Sequence, residues 1–510
     1  MILRSLFRVR KTSLILAIFL MILYFSIPRR KKLRNQDPSP DQDLKPHSSP
    51  LKATSISEKH SDTAKSVINE LSSLKFRQGY DAYLTFIKRH NALWKDLQQE
   101  PFLPLESSYE CLGKQNLYGE RERRGCLFHN VCFKSASKEF IYYKASDRPV
   151  FYDKTKGPLT SFDQDGNKFI QMAPLWFFPD FFTPVVKVAP FPSGKETVML
   201  DDLHVYWTHN MPDFNFGHFV YEELGSIFYT MKRFGLQDKN AIVMNIKDHG
   251  NNPLYQKFVQ AFLPVITSRP MQETIKYLKS FNKENVCFKT LLVGGFSRFF
   301  LDYRDSFNEG KEPILFEYRN AILRQHKLDP YFRPKKHRIL INIKSESTFL
   351  NQNGRKRFRT IANVEELERY LKKRYPDIQV DAIALSSLPI RDQMGEMLKT
   401  TIFISHPGGS AMILPFIAQG SYAIVMDYYA SAKEEKGYLF HYDDKDSASM
   451  EVSFWNLWPH FHKMYYQIYD PERDTAWDVQ GSTSYRDDAS TVVNMDRIEF
   501  MINEALHHYY

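Results

Sequence analysis

The sequence predicts an α/β protein whose C-terminal half is a parallel, doubly wound sheet. Short apolar runs recur from His337 onward, and amphipathic segments of helical period separate them. A Gly-Gly pair also follows one of these runs, at the place where such folds bind ligands.

The elements follow in order. Arg338–Ile343 (RILINI) is a strand, and Asn363–Tyr375 is an amphipathic helix. Asn363 as N-cap with Glu366 three residues on has the spacing of a capping box. Ile378–Ala384 is a second strand, Ile390–Leu398 a second helix and Thr401–Ser405 a third strand. Ser410–Ala418 is a third helix and Tyr422–Met426 a fourth strand. This alternation assigns residues 326–510 to a Rossmann-like domain. Residues 76–325 show no clean alternation and are read as a separate N-terminal domain. Within them Ala241–Lys247 and Val286–Val293 are buried strands, and Phe219–Phe234 is a helix that Asp213 or Asn215 is placed to cap. No period of 20–50 residues recurs, which sets aside a repeat architecture.

The chain begins differently. Thr12–Ile27 (TSLILAIFLMILYFSI) carries no charge and is flanked by clusters of Arg and Lys. At 1.5 Å per residue it spans about 24 Å, enough for a thin secretory membrane. A cleaved signal peptide needs a small-residue site, which Ser26-Ile27-Pro28 does not offer. A buried core helix does not fit such basic flanks. The expectation is therefore a signal anchor over 12–27, a cytosolic tail over 1–11 and a polar stem over 28–75, rich in Pro, Ser, Lys and Asp. This is a type II arrangement with the body in the lumen of the Golgi or endoplasmic reticulum. Both flanks are basic, so the orientation rests on the shortness of the tail. The chain has no Asn-x-Ser/Thr acceptor; only Asn130 and Asn285 precede the Val-Cys variant.

Charge and composition narrow the classes of function. With 43% hydrophobic and 25% charged residues, the 510-residue chain can build sizeable cores and is neither disordered nor multi-spanning as a whole. The net charge of +10 invites a nucleic-acid reading. Residues 1–50 hold ten Lys and Arg against three Asp, so only about +3 remains for the rest. A near-balanced body of that kind is not a nucleic-acid partner. The four cysteines, Cys111, Cys126, Cys132 and Cys287, permit two disulfides, one of them local, or free buried thiols. They lack the spacing of a zinc site.

The segment with most chemistry is His406-Pro407-Gly408-Gly409-Ser410, after the third strand. Gly408 and Gly409 let a ligand approach the backbone, the helix start favours a phosphate, and Ser410 can cap the helix or bond the ligand. Lys344 ends the first strand on the same side of the sheet. Arg355, Lys356, Arg357 and Arg359 precede the helix at Asn363 and could neutralise a diphosphate. In the first half His218 follows a glycine at a helix start, with Asp213 and Glu222 nearby. An imidazole there is a candidate general base, its ordinary pKa near 6.5 suiting proton abstraction from a hydroxyl.

Together these segments resemble glycosyltransferase family 61, which includes xylosyl- and N-acetylglucosaminyl-transferases of the secretory pathway. The resemblance lies in Asn215-Phe216-Gly217-His218-Phe219 with Glu222-Glu223-Leu224, in Ile341-Asn342-Ile343-Lys344, in Arg359 to Leu367, and in His406 to Ser410 with Pro415 and Gly420 beyond. Cys126 to Cys132 resembles the start of the family's catalytic region. The resemblance implies a GT-B architecture, two facing Rossmann-like domains with the nucleotide sugar on the C-terminal one. It implies inverting transfer from a UDP-sugar, with a pentose or N-acetylglucosamine as the sugar class, to a glycan or glycoprotein hydroxyl. No cofactor and no metal are expected. His218 is then the leading base, with Asp213 and Glu222 behind it. Lys344, Arg359, His406, Gly408, Gly409 and Ser410 would hold the diphosphate.

Two departures stand out. Ile343 occupies a position where the family usually has Arg, and Pro407-Gly408-Gly409 replaces its usual Gly-Ala after the histidine. They motivate an alternative, a catalytically inactive glycan- or nucleotide-binding member of the same fold. Asp-x-Asp occurs at Asp163–Asp165 and Asp444–Asp446, but neither copy follows an apolar strand, so neither is read as a metal site. His204, His209 and His218 likewise lack ligand spacing.

Overall fold

The computed structural model describes residues 105–508, with gaps at 113–123, 154–156, 163–167, 173–179, 209–215, 237–239, 247–251, 295–311, 345–358, 427–454, 456–457 and 482–484. The expected anchor and stem, Asp213, His209, Arg355–Arg357 and both Asp-x-Asp copies lie outside the described residues. Among the described residues no helix is long and apolar enough to cross a membrane.

The first sheet is mixed. Its strands are β1 (Ser108–Leu112), β2 (Gly125–Lys134), β3 (Glu139–Lys144), β4 (Val185–Val188), β5 (Thr197–Trp207), β6 (Ile242–Asn245), β7 (Gln272–Glu273) and β8 (Asn285–Gly294). Their order is β7-β6-β5-β8-β2-β3-β4, with β1 antiparallel to β2. The run from β7 to β8 is wholly parallel. In chain order it reads 3-2-1-4, the order of the first four strands of a dinucleotide-binding fold. The sequence hid this because β5 and β8 are interrupted by polar residues such as Asp201, Asp202 and Lys289. The intervening helices are a π-helical stretch His218–Leu224 running into α1 (Gly225–Arg233), then α2 (Pro253–Phe262) and α3 (Thr274–Ser280), with α4 (Glu312–Gln325) after β8.

The second sheet meets the expectation of a parallel α/β unit closely. Strands β9 (Arg338–Asn342), β10 (Gln379–Ile383), β11 (Ile402–Ser405), β12 (Tyr422–Met426) and β13 (His462–Tyr466) are all parallel, in the order β10-β9-β11-β12-β13. Side chains alternate across it. Ile339, Ile341, Ile402 and Ile404 enter a core with Leu367 and Leu371 of α5 (Val364–Arg374) and Ile498 and Ile502 of α7 (Met495–His508). Leu340, Phe403 and Val425 face the other way, onto Met394 and Met397 of α6 (Ile390–Leu398). That second core also takes in Phe219, Ile227 and Tyr318 and the Val205 face of the first sheet. Burial on both faces explains why these strands read as continuous apolar runs.

Two local expectations are corrected. The stretch after Gly408 is a 3-10 helix, Gly409–Phe416, not an α-helix over 410–418. Pro415 inside it lacks the N–H that an α-helix would need. Asn363 precedes α5 but makes no capping-box bond. Its side chain is engaged by the backbone of Val493, donating to the carbonyl at 2.9 Å and accepting from the N–H at 2.8 Å.

The cysteines form two disulfides, Cys111–Cys126 and Cys132–Cys287, each joining directly opposed residues of neighbouring antiparallel strands. Cys132–Cys287 ties residues 155 apart in sequence, Cys111–Cys126 residues 15 apart. The longer closed loop removes more unfolded-state entropy. Cys132→Ser is therefore expected to cost about 5 kcal/mol and Cys111→Ser about 3 kcal/mol, checked by denaturant melts of the oxidised chain.

Candidate functional site

The strand order of the second sheet fixes where a ligand can sit. In chain order it reads 2-1-3-4-5, so the connections from β9 and β11 leave in opposite directions. The crevice at that reversal lies beyond their carboxyl ends, where Asn342 pairs with Ser405. Lys344 follows β9 and His406 follows β11, which brings two of the expected residues side by side.

Arg359 completes the cluster. Its guanidinium lies against Gly408, so close that a Cβ built there would sit 2.5 Å from Arg359 Nη2. Gly408 has φ of 110° and Arg359 has φ of 41°, both in the left-handed half of the map. Burial and the Arg359 charge push the Lys344 ammonium down to about 7, with Asp478 pulling the other way. His406 is buried and held well below its ordinary pKa, first by burial and then by Lys344 and Arg359. It is therefore neutral, its Nδ1–H donating to the Pro407 carbonyl at 3.1 Å. His406 shapes the turn from beneath and adds no charge. Two cations this close repel one another, and an anion bound between them would relieve that repulsion.

The turn has its own supports. Asn342 donates from Nδ2 to Ser405 Oγ at 3.0 Å and to the Ser410 carbonyl at 3.3 Å. Among the described residues its buried Oδ1 has no hydrogen-bond partner. Arg319, fully buried in α4, donates to the carbonyls of Pro415 at 2.7 Å and Ile417 at 2.8 Å. Burial lowers its pKa to about 10, still charged at neutral pH. Neither residue was singled out from sequence. Asn342 sits within a quoted motif, whereas Arg319 has no local signal because its partners are about a hundred residues away.

His218 opens the π-helical stretch, and its Nδ1 is hydrogen-bonded to the Glu222 carboxylate. The pairing fixes the ring and favours the imidazolium that forms when the other nitrogen takes a proton. The His218 side chain is 29% exposed and that of Glu222 11%, so the base faces outward from a largely buried partner. π-Helical turns often mark functional positions. The same turn touches the 3-10 helix after Gly408: Tyr221 donates its hydroxyl to the Met412 carbonyl at 2.9 Å, inside Gly409–Phe416. The candidate base and the candidate phosphate turn thus ride on two helical segments bonded to one another.

The structure brings Lys344, Arg359, His406, Gly408, Gly409 and Ser410 together, and separately pairs His218 with Glu222. Ile343, which stands where the family usually has Arg, packs its side chain against the core of Ile341, Leu367 and Ile498. His204 makes no cluster; its ring bonds the Asp202 carbonyl at 2.9 Å and the Tyr277 hydroxyl at 3.0 Å. Among the described residues no group of three or more His, Cys, Asp or Glu could hold a metal ion.

Residues 216–424 match the family model described as Glycosyltransferase 61. The span starts two residues before His218, ends within β12 and includes Lys344, Arg359 and the turn from His406 to Ser410. The match supports glycosyltransferase family 61 and, with it, transferase activity. No curated protein matches the chain.

Proposed function

We propose that this chain, a glycosyltransferase of family 61 by the match over residues 216–424, moves a sugar from a UDP-sugar to a hydroxyl of a glycan or glycoprotein with inversion at the anomeric carbon. The observation that carries the reading is the Lys344–Arg359–Gly408 cluster at the point where the strand order reverses. There two cations and the first amides of the 3-10 helix can stabilise the departing diphosphate. His218, oriented by Glu222, takes the proton from the attacking hydroxyl. The all-parallel second sheet and the parallel run from β7 to β8 in the first favour the GT-B layout with the donor on residues 326–510 and the acceptor on 76–325. Two disulfides and the uncharged run 12–27 favour a type II Golgi or endoplasmic-reticulum enzyme. No metal or cofactor is assigned a role.

The test is UDP release from a panel of UDP-sugars, UDP-xylose and UDP-N-acetylglucosamine included, with the body of the protein as enzyme. Turnover of one donor supports the transferase. UDP binding without turnover of any donor would favour the inactive alternative that Ile343 and Pro407 motivate.

A pH dependence follows from Lys344. Its ammonium is charged below about 7 and is lost as pH rises through that value. Donor affinity should therefore fall about three- to tenfold between pH 6.5 and 8. A UDP-sugar is the right probe, because its diphosphate diester does not titrate in this range. Lys344→Arg should flatten the profile.

A further inference from the structure

We infer that Asp478, on a C-terminal hairpin outside the matched span, is the positioning residue that holds Arg359 over the anion turn. The hairpin pairs β14 (Thr475–Trp477) with β15 (Ala489–Thr491) in antiparallel fashion, and both strands follow residue 424. The chain around Arg359 is stitched onto it. Thr491 donates its N–H to the Thr360 carbonyl at 2.9 Å, and Ala362 donates to the Thr491 carbonyl at 2.8 Å. Ile361 bridges Thr491 as a parallel pair.

At the head of this stitch Asp478 Oδ2 accepts the Arg359 backbone N–H at 2.5 Å. Its Oδ1 accepts from Ser490 Oγ at 2.7 Å, and the same Ser490 oxygen accepts the Thr360 N–H at 3.1 Å. Arg359 needs this hold. A φ of 41° costs a non-glycine residue on the order of 1 kcal/mol and persists only where the surroundings impose it. That backbone turn sends the guanidinium onto Gly408. The negative charge of Asp478 also offsets the repulsion between Lys344 and Arg359. The hairpin therefore sets both the aim and the electrostatics of the cationic cluster, although Asp478 itself need not touch the donor.

The inference rests on the cluster being the donor site, and calorimetric titration of UDP tests it on the full chain. Asp478→Ala should weaken UDP binding about tenfold with the melting temperature changed little. Asp478→Asn keeps an oxygen for the Arg359 N–H and should recover most of the loss. In an Arg359→Ala background Asp478→Ala should add much less than its tenfold loss, because the residue acts mainly through Arg359. Unchanged affinity in Asp478→Ala, failure of the Asn variant to recover, or additive losses in the double variant would each overturn the positioning role alone. If the wild-type chain binds neither UDP nor pyrophosphate, the donor-site reading and this inference fall together.

Discussion

Replacing His218 with alanine should lower turnover by about 10³-fold while UDP affinity stays within a factor of two. The magnitude is that of a lost general base, about 10² to 10⁴ in rate. The selectivity follows from the geometry. His218 is tied to Glu222 within the π-helical stretch, whereas the groups that would hold UDP are Lys344 after β9, Arg359 before α5 and the glycine turn after β11. Glu222→Gln keeps a hydrogen-bond acceptor beside Nδ1 but removes the charge that stabilises the imidazolium, so its loss should be smaller, about tenfold. Single-turnover rates and UDP titrations on the same preparations check both. A His218→Ala enzyme with full activity would move the base elsewhere, and Asp213 would be the next residue to replace.

Gly408→Ala should abolish measurable UDP binding, or weaken it by at least about thirtyfold, through two effects that add. The backbone φ of 110° excludes an ordinary L side chain, and the new Cβ would lie 2.5 Å from Arg359 Nη2. The turn and the arginine must both shift. Gly420→Ala is the control: its φ of 85° carries similar strain, but a Cβ there meets nothing within 4 Å. It should cost some stability and leave UDP affinity within twofold. Equal loss of affinity in both variants would mean that backbone strain in general, and not the Arg359–Gly408 contact, governs the site.

The readable part of the fold was the part buried on both faces. Ile390–Leu398 and Tyr422–Met426 fall where the sequence puts them, since uninterrupted apolar runs and amphipathic helices leave their period in the chain. The parallel run β5 to β8 was only partly legible, because its strands cross between core and solvent and carry Asp201, Asp202 and Lys289 midway. Disulfide pairing depended on strand register. Cys126 and Cys132 share β2 but face different neighbours, β1 and β8, which spacing alone does not encode. At the site, motif order located Lys344, Arg359 and the glycine turn. What it missed were the residues that hold them. Asp478 lies 119 residues from Arg359, and Arg319 lies 96 from Pro415, so neither leaves a local mark. The expected helix after Gly408 failed on a residue in plain view: Pro415 tightens it into a 3-10 turn whose end then needs Arg319 and His460 to satisfy its carbonyls.

Everything proposed for this chain turns on whether Lys344, Arg359 and the turn at Gly408 form a nucleotide-diphosphate site. Calorimetric titration of UDP into the wild-type chain and into Arg359→Ala, at one pH below 7, tests it most directly. A donor site there gives saturable one-to-one binding by the wild type and a loss of about tenfold or more in the variant, with both melting at the same temperature. No binding by the wild type, or equal binding by the two, would contradict it.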